Sequence, residues 1–161
     1  MARDFGRPIV RIILHTTQTS LGARPDAIRR FWFTPRVNAQ TGATKPYIPD
    51  VQGGAGFKRA EGYHYMIDAQ GRRHIRHHLS EVTNGVRGYN WNSVHIATIG
   101  GAKGDDRTPK QIAELINLIN ELRSDDILGP VPVRGHNDFA AKDCPWYQVE
   151  KWCRSVGIDP L

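Results

Sequence analysis

The sequence predicts an α/β fold: one domain over residues 1–161, with a central mixed β-sheet flanked by helices. Three observations carry this. Ile9–His15 is β-branched and almost continuously apolar, as suits a strand buried on both faces of a sheet. Strand-like and helix-like segments then interleave along the chain. Gly62–Ile67 and Arg72–His78 flank the tight turn DAQG (Asp68–Gly71), a hairpin that makes the sheet mixed.

The remaining elements follow in order. Thr16–Ser20 (TTQTS) is a polar loop. Pro25 opens a helix at its first turn, where a missing N–H costs nothing. That helix carries Ile28, Phe31 and Trp32 on one face, read as core rather than as a binding platform, and ends before Pro35. Val37–Lys58 is irregular, with Pro46, Pro49 and the run GGAG, and is expected to be a functional or flexible loop. Asn84–Asn92 is a polar, glycine-bearing loop, and Ser93–Gly100 (SVHIATIG) is a strand. Thr108, Pro109 and Gln111 spell a capping box, followed at helical spacing by Ile112, Leu115, Ile116, Ile119 and Leu122. Val131–Arg134 is a short last strand, and Trp146–Ser155 a closing helix.

Composition bounds the function. A chain of 161 residues, 39% hydrophobic and 24% charged, reads as a soluble globular protein able to bury a core. A net charge of +6 points to an acidic partner: nucleic acid, an anionic membrane, or an anionic polymer such as bacterial cell wall. The basic residues are scattered apart from RRHIRHH at Arg72–His78, read as a solvated strand face, and no regular aromatic interleaving accompanies them. No nucleic acid partner is therefore expected. The longest apolar run, Ile12–Leu14, is far too short to cross a membrane, so no membrane insertion is expected. MARDFGRP lacks the apolar region of a signal peptide, so the expectation is synthesis in the cytoplasm; the chain is expected to be a monomer. Cys144 and Cys153 could form one disulfide; a reducing compartment argues against it.

The stretch VRGHNDFAAKDCPW (Val133–Trp146) concentrates the chemistry. It holds His136, Lys142 and Cys144. Imidazole and thiolate are the side chains zinc prefers. The histidine and cysteine stand eight positions apart, too far for one helical face and comfortable for a loop folding back. A third ligand must come from elsewhere, and the best candidate is His15, where a strand end can deliver it to the sheet rim. Spacing alone also allows a surface imidazole, a buried thiol and a solvated lysine.

Four pieces carry a family resemblance: ILHTT around His15, GYHYMIDAQG at Gly62–Gly71, GYNWNSVHIATIGG at Gly88–Gly101, and GHNDFAAKDCPWY at Gly135–Tyr147. With these, in this order, the chain resembles the zinc-dependent N-acetylmuramoyl-L-alanine amidases of the bacteriophage T7 lysozyme type, which share a fold with animal peptidoglycan recognition proteins. The resemblance implies one zinc ion held by His15, His136 and Cys144, and catalytic roles for Tyr63 and Lys142. It implies peptidoglycan as the substrate and action on the cell wall. It singles out no substrate-binding residue. Phe33–Lys58 is longer than expected of compact phage members, which puts the groove rim in doubt rather than the metal site.

Such a site would hydrolyse an amide. Three protein ligands leave a position for water, whose pKa zinc lowers to about 7. Lys142 is suited to stabilise the oxyanion, worth about 3–4 kcal/mol per donor in comparable sites. Tyr63 can hydrogen-bond the water or the carbonyl oxygen. The group that takes the proton is left open. If strand alternation holds, Glu61 and Tyr65 share the face of Tyr63, and His64 does not. Two other readings stand beside the amidase: a peptidoglycan-binding module without catalysis, and a zinc peptidase cutting elsewhere in the stem peptide. Non-catalytic relatives typically lack the cysteine ligand, so Cys144 argues against the first.

Overall fold

The computed structural model describes residues 1–34, 36–37, 39–42, 44–45 and 61–161. Its elements are β1 (Arg11–Thr16), α1 (Pro25–Phe33), β2 (Arg36–Val37), β3 (Thr44–Lys45), β4 (Tyr65–Ile67), β5 (Arg73–Ile75), β6 (Ser93–Thr98), α2 (Pro109–Leu122), β7 (Val133–Gly135) and α3 (Val149–Ser155), with a 3-10 turn at His136–Asp138. The expected mixed sheet is present, in the order β5-β4-β6-β1-β7. β1 lies between β6 and β7 and runs parallel to both; β5 alone pairs antiparallel, with β4.

Side chains alternate across this sheet and divide the core in two. Ile12, Leu14, Val94, Ile96, Tyr65 and Ile67 pack under α2 and α3, against residues such as Leu118, Ile119, Val149 and Cys153. On the other face Met66, Ala97 and Ile99 meet Ile28 of α1 and Tyr63. β1 sits between the two layers, with Ile12, Ile13 and Leu14 all wholly buried. The capping box of α2 forms as expected: Thr108 Oγ1 accepts from the Gln111 N–H, and Gln111 Oε1 accepts from the Thr108 N–H. The buried Gln111 Nε2 also donates to the carbonyls of Ile67 and Ile99, fastening the start of α2 to the ends of β4 and β6. Both cysteines are free and buried.

Several boundaries differ from the sequence reading. β4 begins at Tyr65, not Gly62; Gly62 lies so close to the Trp32 indole that a Cβ would overlap the ring. Alternation therefore breaks before the strand starts: Tyr65 packs beneath α2, whereas Tyr63 packs on the α1 face. Glu61 is buried and ion-paired with Arg76 at 3.0 Å. α3 begins at Val149, not Trp146, whose positive φ of 79° is incompatible with a helix and whose indole N–H donates to the Gly101 carbonyl. The basic stretch at residues 72–78 is not a plain solvated face, since Arg73 is paired with Glu114 and Glu121 of α2, each at 2.7 Å. The segment read as irregular, Val37–Lys58, holds most of a short β2–β3 ladder that begins at Arg36, with Arg36 opposite Lys45 and Val37 opposite Thr44; residues 38, 43 and 46–58 of it lie outside the described residues.

His64 joins these parts as a wholly buried neutral imidazole. Its Nδ1 accepts the backbone N–H of His95 at 3.0 Å, so Nε2 carries the proton and donates to the Glu81 carbonyl, also at 3.0 Å. Burial, with the nearby Arg7 guanidinium, pushes its pKa down from 6.5 to about 3. The unfolded chain consequently binds more protons than the folded one between these two values. The stability His64 contributes is fully present above pH 6.5 and is lost as pH falls toward 3. Asp68, held down to about 2, acts only at lower pH. We predict that urea denaturation of the metal-free protein shows stability falling from pH 6.5 to 4, with about 1.4 kcal/mol per pH unit as the limit for one such group. His15, His95 and His136, also held below the ordinary histidine value, add to the same fall, so His64→Asn, which keeps the acceptor and loses the titration, should reduce the slope by its own share of up to about 1.4 kcal/mol per pH unit; an unchanged slope would show that His64 does not titrate in this window.

Candidate metal centre

The register of β1 and β7 generates the site. Leu14 pairs with Gly135, so the next residues, His15 and His136, emerge side by side, their ring centroids 5.0 Å apart. The chain then turns through residues 136–138 and folds back, pressing Cys144 against the end of β1. Its Sγ accepts the Thr16 N–H at 3.3 Å and lies 3.8 Å from His15 Nδ1. The ligating atoms of His15, His136 and Cys144 all lie within 4.8 Å of one another, and the three can hold a metal ion. The sequence reading placed His15 at the sheet rim. It instead stands on the sheet face beneath α1, only 2% exposed.

The protonation states follow from burial. His15 is held well below an ordinary histidine by desolvation and by the neighbouring His136. His136 is lowered to about 4, by burial and then by the Lys142 charge. The Cys144 thiol is pushed up to about 11 by burial, against the opposing pull of the Thr16 N–H and Lys142. At neutral pH, then, both imidazoles already offer lone pairs, and only the thiol must lose a proton to ligate.

A cleft of about 590 Å³ opens over this group, with Tyr63, Lys142, Phe31 and Trp32 in its walls. Lys142 is exposed at the rim. The Tyr63 ring lies 5.2 Å from His15 and meets the Trp32 ring edge-on at 5.8 Å. Four of the five residues singled out from the sequence, Tyr63, His136, Lys142 and Cys144, therefore line one cleft, and the fifth, His15, lies buried behind them against the rings of Tyr63 and His136. Neither Glu61 nor His64, the nearby groups considered for taking a proton, lines it. Phe31 was read as core and is not: it is 58% exposed, at the mouth.

Sequence reasoning missed His95 and Gly85. His95 lies on β6, wholly buried on the face it shares with Ala97, and its Nδ1 is 2.9 Å from His15 Nε2. Gly85 lies over the same ring, where a Cβ would overlap the imidazole. The available signal was a histidine between Val94 and Ile96 in the wholly buried strand SVHIAT.

The family described as N-acetylmuramoyl-L-alanine amidase matches residues 5–147. The endolysin of Enterobacteria phage K11 is 32% identical over 102 residues, which cover 58% of this chain and 64% of that protein. The chain thus matches somewhat under two thirds of the length of this relative. Among solved structures, the amidase LysC from Clostridium intestinale superposes with a TM-score of 0.67 at 17% identity, over 99% of this chain and 92% of that one. Bumblebee PGRP-SA superposes with a TM-score of 0.62 at 18% identity, over 91% of this chain and 81% of that one. Both share the fold described above.

Proposed function

This chain belongs to the N-acetylmuramoyl-L-alanine amidase family, and on that footing we propose that it hydrolyses the amide between N-acetylmuramic acid and L-alanine of peptidoglycan. The observation that carries the proposal is the convergence of His15, His136 and Cys144 on the floor of a cleft walled by Tyr63 and Lys142. We propose zinc as the ion. Two imidazoles and a thiol are a borderline-soft set suited to it, and tetrahedral zinc with bonds of about 2.0–2.3 Å wants donors roughly 3.3–3.6 Å apart. The 3.8 Å between His15 Nδ1 and Cys144 Sγ is close to that. Bound there, zinc would supply Lewis acidity and an activated water.

The chain's own residues do the rest in this reading. Lys142, at the rim, places an ammonium where negative charge develops on the carbonyl oxygen, which favours the transition state over the bound substrate. Tyr63 presents its phenol to the same carbonyl or to the water. Phe31 and Trp32 form an apolar wall that positions the substrate and narrows access for bulk solvent. A net charge of +6 favours approach to an anionic wall polymer. The chain is proposed to act as a single-domain monomer without a nucleic acid or membrane partner; no helix among the described residues is long and apolar enough to cross a membrane.

Mass spectrometry of digested peptidoglycan tests the reaction. Stem peptides beginning at L-alanine should accumulate with the parent and not with Cys144→Ser or His136→Ala, both of which should lose zinc. Peptides beginning at another residue would indicate a different scissile bond, and their absence with a zinc-loaded parent would leave a binding module. For Lys142→Ala we predict intact zinc content and folding and a kcat reduced by about 10²–10³. Turnover within about threefold of the parent, far short of that range, would make Lys142 an ordinary surface charge. Protonation adds an independent prediction. Because the His136 pKa is about 4 and that of Cys144 about 11, zinc uptake at pH 7 should release close to one proton from the thiol, in addition to about half a proton from a bound water with a pKa of about 7. Titration calorimetry in buffers of different ionisation enthalpy measures it; release of no more than the water's share of about half a proton would remove Cys144 from the ligand set.

A further inference from the structure

We propose that His95 is a positioning residue for the metal centre: its Nδ1 accepts the Nε2–H of His15 and so leaves the His15 Nδ1 lone pair free for the ion. The inference rests on the metal reading above and concerns what holds its most buried ligand in order. His15 Nδ1 is the nitrogen that faces Cys144, at 3.8 Å, and His15 Nε2 is the one that faces His95, at 2.9 Å. A neutral imidazole carries one proton. If Nδ1 is to ligate, that proton must sit on Nε2 and needs an acceptor, because this side chain is sealed from water. His95 Nδ1 is the partner found there.

His95 is itself fixed in the orientation this needs. Its backbone N–H donates to His64 Nδ1, and its carbonyl accepts from the His64 N–H at 2.9 Å. The two rings stack with planes 13° apart. From above, Gly85 lies so close to the ring that any Cβ would displace it. If His95 Nδ1 accepts, its own proton lies on Nε2, which is buried and has no hydrogen-bond partner among the described residues. A histidine needed only to fill the core would gain nothing from that arrangement, whereas one serving His15 through Nδ1 must tolerate it. A neutral acceptor also orients the ligand without adding negative charge to a site that already takes a thiolate.

The test compares the parent with His95→Leu, which fills similar space without an acceptor, and His95→Asn, whose Oδ1 can occupy the place of Nδ1. Zinc affinity is measured by competition with a chromophoric chelator. Removing a partner of this kind should weaken zinc binding about 10–100-fold in His95→Leu, while His95→Asn should stay within about threefold of the parent. Gly85→Ala, which pushes the ring aside without touching a ligand, should fall between them. Nitrogen-15 spectra of the metal-free parent, which need no variant, should show His15 neutral with its proton on Nε2. A proton on His15 Nδ1 instead, or equal zinc affinity in the parent and a folded His95→Leu, overturns the inference while leaving the zinc site standing. A parent that binds no zinc overturns the metal reading and this inference with it. Equal weakening in the Leu and Asn variants would mean that His95 only fills space.

Discussion

Burying an imidazole on an internal strand governs much of this structure. His15 lies on β1, between β6 and β7, with almost no solvent access. In such a place a protonated ring is strongly disfavoured, and a neutral one must find partners for both nitrogens within the protein. One nitrogen turns to His95 and the other to Cys144 and the metal position. The need for those partners ties together parts of the chain that are remote in sequence. β6 must bring His95 alongside, β7 must deliver His136 in the next register position, and the loop after it must return Cys144 to the Thr16 N–H. A slip of one residue in β1 would send His15 into the apolar layer under α2, where nothing could satisfy it.

The elements legible in the sequence were those set by local patterning. The α2 capping box and its apolar stripe depend on residues within one segment, and so does the continuous apolar run of β1. What was misjudged depends on contacts between segments. Just before β4, Gly62 is pressed against Trp32 of α1, some thirty residues away, a contact that no pattern inside GYHYMI records. The expected helix over Trp146–Ser155 starts three residues late, at Val149, because Trp146 is drawn off to the Gly101 carbonyl. Arg73 read as solvated because its partners, Glu114 and Glu121, lie on the helix packed behind the sheet.

The candidate site divides in the same way. His15, His136, Cys144, Tyr63 and Lys142 were visible because residue type and motif order single them out, and the fold gathers them around one cleft. Their supporting shell was not. His95 stands two positions from Ala97 in an unbroken strand pattern, and only the pairing of Ile13 with His95 reveals that it flanks His15. Glycines such as Gly85 give still less warning, because their contribution is the absence of a side chain.

The helix α1 shows why apolar spacing does not by itself separate core from cleft. Ile28, Phe31 and Trp32 fall on one stripe, as a core-facing helix requires. A stripe wider than the sheet beneath it has to end somewhere. Here Ile28 reaches the core at 5% exposure, while Phe31 remains 58% exposed at the cleft mouth. Trp32 lies between them, its ring against Gly62 on one side and Tyr63 on another. The same stripe thus seals the sheet at one edge and walls the cleft at the other. Tyr63 bridges this stripe and the ligand set, its ring against Trp32 of α1 on one side and 5.2 Å from the His15 ring on the other.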